Sequence, residues 1–400
     1  MIRCGLDVLA ASPAPATRWG RCALLLNQAS VDAELRPSQV VLQDVLGERL
    51  VQLFSPQHGL CADKQDNMVE SAHSRDLVSG LPFYSLYSEV REPTDAMLEN
   101  IDTVIVDIQD VGTRVYTFVY TMAGIMRVCA RRGKHVVILD RPNPIDGVHV
   151  EGNILDDDAR SFVGEYPLPM RHGMTVAEIA GWMNATAGIG ASLEVIPMEG
   201  WDRGMSWHDT GRPWIMTSPN IPTADTCLLY PGMVLLEGTN LSEGRGTTMP
   251  FLTIGAPYLR DIARWMEDLT TLADTAGVIL QPTIFEPTFH KWATQSCYGV
   301  RFIVRTPSVV QPYLLGLAAI IASSAQAPDT FRYNDPPYEY DYVRQPIHLL
   351  TGSASLPHTL ITIARSPLSR RTMEDLAVTW KEGLDHFHRT RRKALLYSGR

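Results

Sequence analysis

Four hundred residues, 45% of them hydrophobic, exceed what one hydrophobic core usually organises, so two adjoining domains are expected. Charged residues make up 20% and the formal net charge is -9. That balance disfavours nucleic acid, since phosphate binding needs clustered Lys and Arg, and no run approaches the roughly 18 apolar residues of a membrane span.

The N-terminal segment has an early Arg3 but no sustained apolar stretch, so no secretory signal is expected. Six cysteines, Cys4, Cys22, Cys61, Cys129, Cys227 and Cys297, show neither CxxC spacing nor a paired framework. A reducing, cytoplasmic setting fits them, without a zinc site or a disulfide scaffold. Short apolar runs ending in polar turns then recur at Cys22–Leu26, Leu50–Phe54, Thr103–Val106, Val136–Leu139 and Leu193–Ile196, as strands buried on both faces do. Between the third and fourth runs, Val115, Phe118, Val119, Met122, Ile125, Met126 and Cys129 fall at helical spacing, predicting a helix from about Thr113 that stops at Gly133. A second helix is predicted over Thr175–Asn184. Alternating strands and helices imply an α/β fold with a doubly wound parallel sheet.

From about Pro250 the pattern becomes a smaller α/β unit, with helices over Tyr258–Leu272 and Pro312–Ser323 and strands over Val278–Ile284 and Val300–Val304. Residues Gln326–Tyr342, rich in Pro, Asp and Tyr, read as a surface loop. The basic run Arg389, Arg391, Arg392 and Lys393 reads as a solvated helix end.

In open parallel sheets ligands bind beyond the carboxyl ends of the strands. Four successive runs end in polar residues: Asn27-Gln28, Ser55 to Gly59, Asp107 to Gly112, and Asp140 to Pro144, which includes Arg141 and Asn143. Together they predict a lined cleft. Asp107 is suited to orienting a hydroxyl or to acid/base work, whereas Asp110 reads equally as a helix N-cap. Arg114 and Tyr116 can reach the same cleft, and His58 sits on a loop constrained by Pro56 and Gly59. Farther on, Ser218 to Thr223, containing Asn220, and Leu235 to Thr248, containing Glu237, Asn240, Glu243 and Arg245, are dense in groups that bind hydroxyls and amides. Glu243 and Arg245 are either a surface ion pair or ligand contacts, and their glycine neighbours favour the second. No GxGxxG, GxxxxGK[ST], GxSxG or HExxH occurs, and Asp156 to Asp158 read as a solvated loop, so neither cofactor nor metal is expected.

The strings FSPQHG, GLPFYSLY, VIVDIQDVGTRVYTF, LDRPNPIDG, EGNILD, SFVGEYPLPMRHGMT, SPNIPT, YPGMVLLEGTNLSEGRGTT and HKWATQSCYGV resemble, in order, the exo-β-N-acetylmuramidase family, long catalogued as a domain of unknown function. The resemblance runs from about Gly5 to the end of the chain. It implies a Rossmann-like domain over 1–250, an auxiliary α/β domain over 251–400 that closes the cleft, and an exo-acting glycosidase that removes terminal N-acetylmuramic acid from peptidoglycan fragments. Glycosidases usually need two carboxyl groups, and Asp107, Asp110, Glu237 and Glu243 are the candidates. Many relatives carry Glu between Pro56 and His58, where this chain has Gln57, and an amide donates no titrating proton. Either the acid role moves to Glu243 or to an Asp of the third strand, or Gln57 orients the acetamido group of a self-assisting substrate, or specificity has changed; the first is preferred. Many relatives carry export signals whereas none is read here, so a cytoplasmic enzyme acting on imported wall fragments is expected. The rival readings are a sugar- or nucleotide-binding protein that has lost catalysis, and a metal-dependent hydrolase built on His58, His172 and the Asp cluster.

Overall fold

A computed structural model of the chain describes residues 1–57, 59, 74–87 and 90–399. Its first part contains β1 (Cys22–Leu26), β2 (Leu50–Ser55), β3 (Ser74–Arg75), β4 (Pro82–Ser85), β5 (Thr103–Asp107), β6 (His135–Leu139), β7 (Glu151–Ile154), β8 (Pro169–Arg171) and β9 (Ser192–Ile196). Seven of these form one sheet in the order β3-β4-β2-β1-β5-β6-β9, parallel except at the β3 edge, while β7 and β8 pair antiparallel beside it. The five predicted apolar runs are all strands of this sheet.

Their side chains alternate between two cores, as the two-residue period of a strand requires. Ala23, Leu25, Val104, Val106, Val136 and Ile138 face the helices Phe118–Arg132 and Val176–Thr186. Leu24, Leu26, Ile105, Val137 and Leu139 face Leu6, Leu9, Val41 and Leu42 of two short helices on the other side. Helix Phe118–Arg132 starts later than expected, because Thr113 to Thr117 form a turn, and ends at Gly133 in the left-handed region (φ +62°). Thr175 caps the next helix through a capping box with Glu178.

The second part carries an antiparallel sheet ordered β10 (Thr253–Ala256), β12 (Cys297–Val304), β11 (Val278–Phe285). The helix expected from Tyr258 begins at Ile262, where Asp261 accepts the Arg264 N–H at 3.0 Å and fixes the start. Helices Ala224–Met233 and Pro312–Gln326 cross with their backbones in contact. A Cβ on Gly232 would lie 1.7 Å from the Pro312 carbonyl oxygen, so only glycine permits the approach. The apolar cluster beneath Phe118–Arg132 continues through this crossing to Ile320 and Ile321, and so joins the two parts.

Two surface assignments change. In the basic run, Arg391 is buried and donates to the carbonyls of Gly147 and Gly173, tying the chain end to the sheet domain. In the expected loop Gln326–Tyr342, Gln326 ends the preceding helix and the rest has no helix or strand, yet it buries Phe331 and Glu339.

Candidate active site

The sheet reverses its strand order between β1 and β5, the position where a doubly wound sheet opens a crevice. Here that crevice is occupied by the protein's own side chains. Asn27 donates to the Gln109 carbonyl at 3.3 Å and accepts its N–H at 3.1 Å. Arg141 makes two bonds to Asp107, at 2.5 and 2.8 Å, and a third to the Val31 carbonyl. Asn143 bonds Met174 and Ile145, and Asp110 accepts the Gly112 N–H at 2.7 Å with His172 3.6 Å away. All these side chains are buried. Neither Asp is a helix N-cap, because the helix starts only at Phe118. Arg114 is also turned inward, donating to the carbonyls of Asn153, Leu168, Leu350 and Thr351. Asn240 likewise serves the backbone of Thr330 and Arg332. The bonds these residues make run to the protein itself, and Asp107 is held by Arg141, while Asp110 Oδ1 and His172 Nε2 are buried without a hydrogen-bond partner among the described residues.

The open space lies instead past the end of β2, where the two parts meet. Gln57, Tyr116, Thr117, Asn220, Glu237 and Arg245 line an inner cavity of about 40 Å3, closed on its far side by Tyr338 and Glu339. Glu237, Arg245, Tyr338 and Glu339 also border an outer hollow of about 330 Å3, which His290, Lys291 and Asn334 complete. The inner cavity holds a water or two, whereas the outer one reaches the size of a ligand pocket. His58, expected here, lies outside the described residues. A separate hollow of about 460 Å3 beside Trp207, His208, Asp225 and Arg305 is farther from the paired carboxyls described next.

Two carboxyl groups of this cleft sit in opposite electrostatic settings. Glu237 accepts from Arg245 at 2.6 Å and from the Tyr338 hydroxyl at 2.6 Å, so it is paired directly with a cation. Glu339 is buried and accepts from the Tyr87 hydroxyl at 2.6 Å and the Gln57 amide at 2.9 Å. Burial pushes its carboxyl above the usual range, the two hydrogen bonds pull it back, and the charge of Glu237 pushes it up again. The Gln57 carbonyl in turn accepts from Thr117 at 2.8 Å, which fixes which end of the amide faces Glu339. Arg91 stands over the rings of Tyr87 and Tyr340, 4.2 and 4.3 Å from their centroids, and clamps the loop that carries Glu339.

Glu243 is the residue to which the acid role was first assigned, and its surroundings argue against that. It is fully buried, with Lys291 at 2.6 Å and Arg245 at 3.4 Å. Burial pushes its carboxyl up, but the Lys291, Arg245 and His290 charges outweigh this and hold it down at about 2. A carboxylate so placed stays ionised and anchors Arg245. Glu339 and Tyr338 were missed in the sequence because PPYEYDY has the composition of a solvated loop; a Glu flanked by two tyrosines was the available signal, and Tyr87, at the end of GLPFYSLY, had none.

Models described as exo-beta-N-acetylmuramidase NamZ, N-terminal and C-terminal, match residues 22–225 and 228–397. The peptidoglycan beta-N-acetylmuramidase NamZ of Bacillus subtilis (strain 168) is 35% identical over 396 residues, covering 99% of this chain and 91% of that protein. A crystal structure of a DUF1343 family protein from Bacteroides fragilis superposes with a TM-score of 0.86 at 28% identity, covering 99% of both chains. A second one from the same organism, at 24% identity and a TM-score of 0.74 over 100% of both chains, shares the fold. With both family models matched in order along nearly its whole length, this chain belongs to the NamZ exo-β-N-acetylmuramidase family.

Proposed function

We propose that the chain is an exo-acting β-glycosidase that removes terminal N-acetylmuramic acid from peptidoglycan fragments, with Glu339 as proton donor and Glu237 as the carboxylate opposite it. The observation that carries this reading is the pair itself: two carboxyl groups border one hollow, one beside Arg245, the other buried and raised. Environments that separate two carboxyls in this way assign acid and base. Protonated Glu339 gives its proton to the glycosidic oxygen as the bond to the anomeric carbon breaks. Glu237, held by Arg245, stabilises the positive charge developing on the sugar, or takes a proton from attacking water. Gln57, in the position where many relatives have Glu, becomes the amide that aims Glu339.

The working halves are 1–250, which contributes Gln57, Glu237 and Arg245, and 251–400, which closes the cleft with Glu339 and His290. The unpaired, buried cysteines Cys4, Cys22, Cys129, Cys227 and Cys297 support action in a reducing compartment, the cytoplasm, on soluble fragments. Among the described residues no helix is long and apolar enough to cross a membrane.

Incubating the pure protein with a chromogenic β-glycoside of N-acetylmuramic acid tests the reading. Release of the chromophore together with free N-acetylmuramic acid is expected. Tight binding of the sugar without release would overturn it in favour of a binding protein.

A further inference from the structure

Residues 288–295 form a loop that no regular element explains. His290, Trp292 and Thr294 have φ values of +69°, +57° and +61°, a region that side-chain-bearing residues avoid. Such strain persists only where surrounding contacts over-determine the backbone, and it clusters at ligand clamps. The contacts are present. The Lys291 ammonium donates to the carbonyls of Leu236 and Leu241 at 2.7 and 3.0 Å and to Glu243 at 2.6 Å. Trp292 donates from its indole to the Asn240 carbonyl at 2.6 Å, and Thr288 bonds the Gly246 carbonyl through both its N–H and its hydroxyl. Gly246 itself is left-handed (φ +82°), and a Cβ there would lie 2.5 Å from the Phe289 carbonyl oxygen. The loop is therefore pinned along the segment 236–246 that also carries Glu237 and Arg245.

What the strained backbone achieves is to hold one imidazole on the wall of the outer hollow. His290 shares that wall with Arg245, Lys291 and Asn334, and its Nδ1 lies 3.6 Å from Glu243. The side chains of Arg245 and Lys291 are 6% and 13% exposed and face Glu237 and Glu243, whereas that of His290 is 39% exposed. It is the most accessible basic group on this wall among the described residues. N-acetylmuramic acid differs from N-acetylglucosamine by one O-linked lactic acid, whose carboxylate needs a basic partner in any site that prefers it. Resting on the glycosidase reading above, we infer that His290 is the specificity residue of the cleft, receiving the lactyl carboxylate of the terminal sugar in the outer hollow. Burial holds the imidazole below its usual value, the Lys291 and Arg245 charges adding to this and the Glu243 and Glu237 carboxylates opposing it, so the ring meets the anion as a hydrogen-bond donor whose charged form the anion itself favours.

Two substitutions suit the left-handed backbone, His290→Asn and His290→Gly, and so remove the ring without adding strain. Their melting temperatures should match or exceed the parent's. With chromogenic β-glycosides of N-acetylmuramic acid and N-acetylglucosamine, both variants should lose roughly 10- to 100-fold in kcat/KM on the first, mainly through KM, and within about 2-fold nothing on the second. Equal losses on the two substrates, or no loss on either, would overturn the assignment. Calorimetric binding of free N-acetylmuramic acid and of its lactyl methyl ester separates this inference from the glycosidase reading. If the parent hydrolyses neither glycoside, a preference for the acid over the ester that His290→Asn abolishes still supports His290, and equal binding of acid and ester by the parent sinks it.

Discussion

Of the buried arginine-carboxylate pairs in this molecule, two have opposite consequences. Asp107 and Arg141 sit where a doubly wound sheet is expected to bind its ligand, yet every donor of the pair described above is directed at protein. Glu237 and Arg245 sit at the seam of the two parts, border a hollow, and have a second, differently disposed carboxyl beside them in Glu339. A charge pair closed in by protein stiffens a fold; one that borders space beside a carboxyl raised by burial can do chemistry. Proximity to a strand end does not by itself open a site when the arginine there is already bonded to its neighbours.

The largest expected effect separates the two pairs directly. Glu339→Gln keeps the hydrogen-bonding shape but removes the proton, and should lower kcat on the muramic acid glycoside by about 10²- to 10⁴-fold with the melting temperature nearly unchanged. Near-parental turnover would return the acid role to another group. Asp107→Asn should do the reverse. It strands a buried guanidinium, costing about 3–5 kcal/mol of stability in denaturant unfolding, while kcat/KM of the folded protein holds. A variant that stays stable but loses turnover would place Asp107 in the chemistry after all.

A smaller effect is expected from Gln57→Glu, which sets a second carboxyl within hydrogen-bond reach of Glu339. Two such groups share one proton, so the pair should release it at higher pH and move the basic limb of the kcat/KM profile up by about one pH unit. An unchanged profile would remove position 57 from contact with the donor. Smallest is a stability effect away from both pairs. Burial pushes the Asp140 carboxyl up from 3.8 to about 7, with Tyr397, Ala177 and Thr175 pulling back through hydrogen bonds. The folded state then binds that proton more tightly than the unfolded chain, so the contribution is full below about pH 4 and is lost as pH rises through 7. The slope is at most about 1.4 kcal/mol per pH unit. Asp140→Asn should flatten it, leaving a residual slope from Glu151, which burial also pushes up to about 7. Equal slopes in both proteins would show that Asp140 is ionised when folded.

The central sheet was legible because its evidence is local. Runs such as Cys22–Leu26 and Thr103–Val106 are apolar throughout only when both faces are covered, and Gly133 marks a helix end by its own backbone freedom. Three of the residues that line the cleft, Gln57, Glu237 and Arg245, lie in segments whose polar, glycine- or proline-containing strings already predict the border of a ligand site. For Glu243 the sequence does not show the partner Lys291, 48 positions away, whose charge holds its carboxyl low and argues against the acid role expected of it.

Composition, period and turn chemistry thus determined the layers of the fold and the residue types available to a sugar site, since each depends on neighbours within a few positions. Which carboxyls meet was decided only in three dimensions. Gln57 and Glu339 are 282 residues apart, and neither burial, nor the hydrogen bond between them, nor the raised carboxyl that results exists until the two parts close on one another.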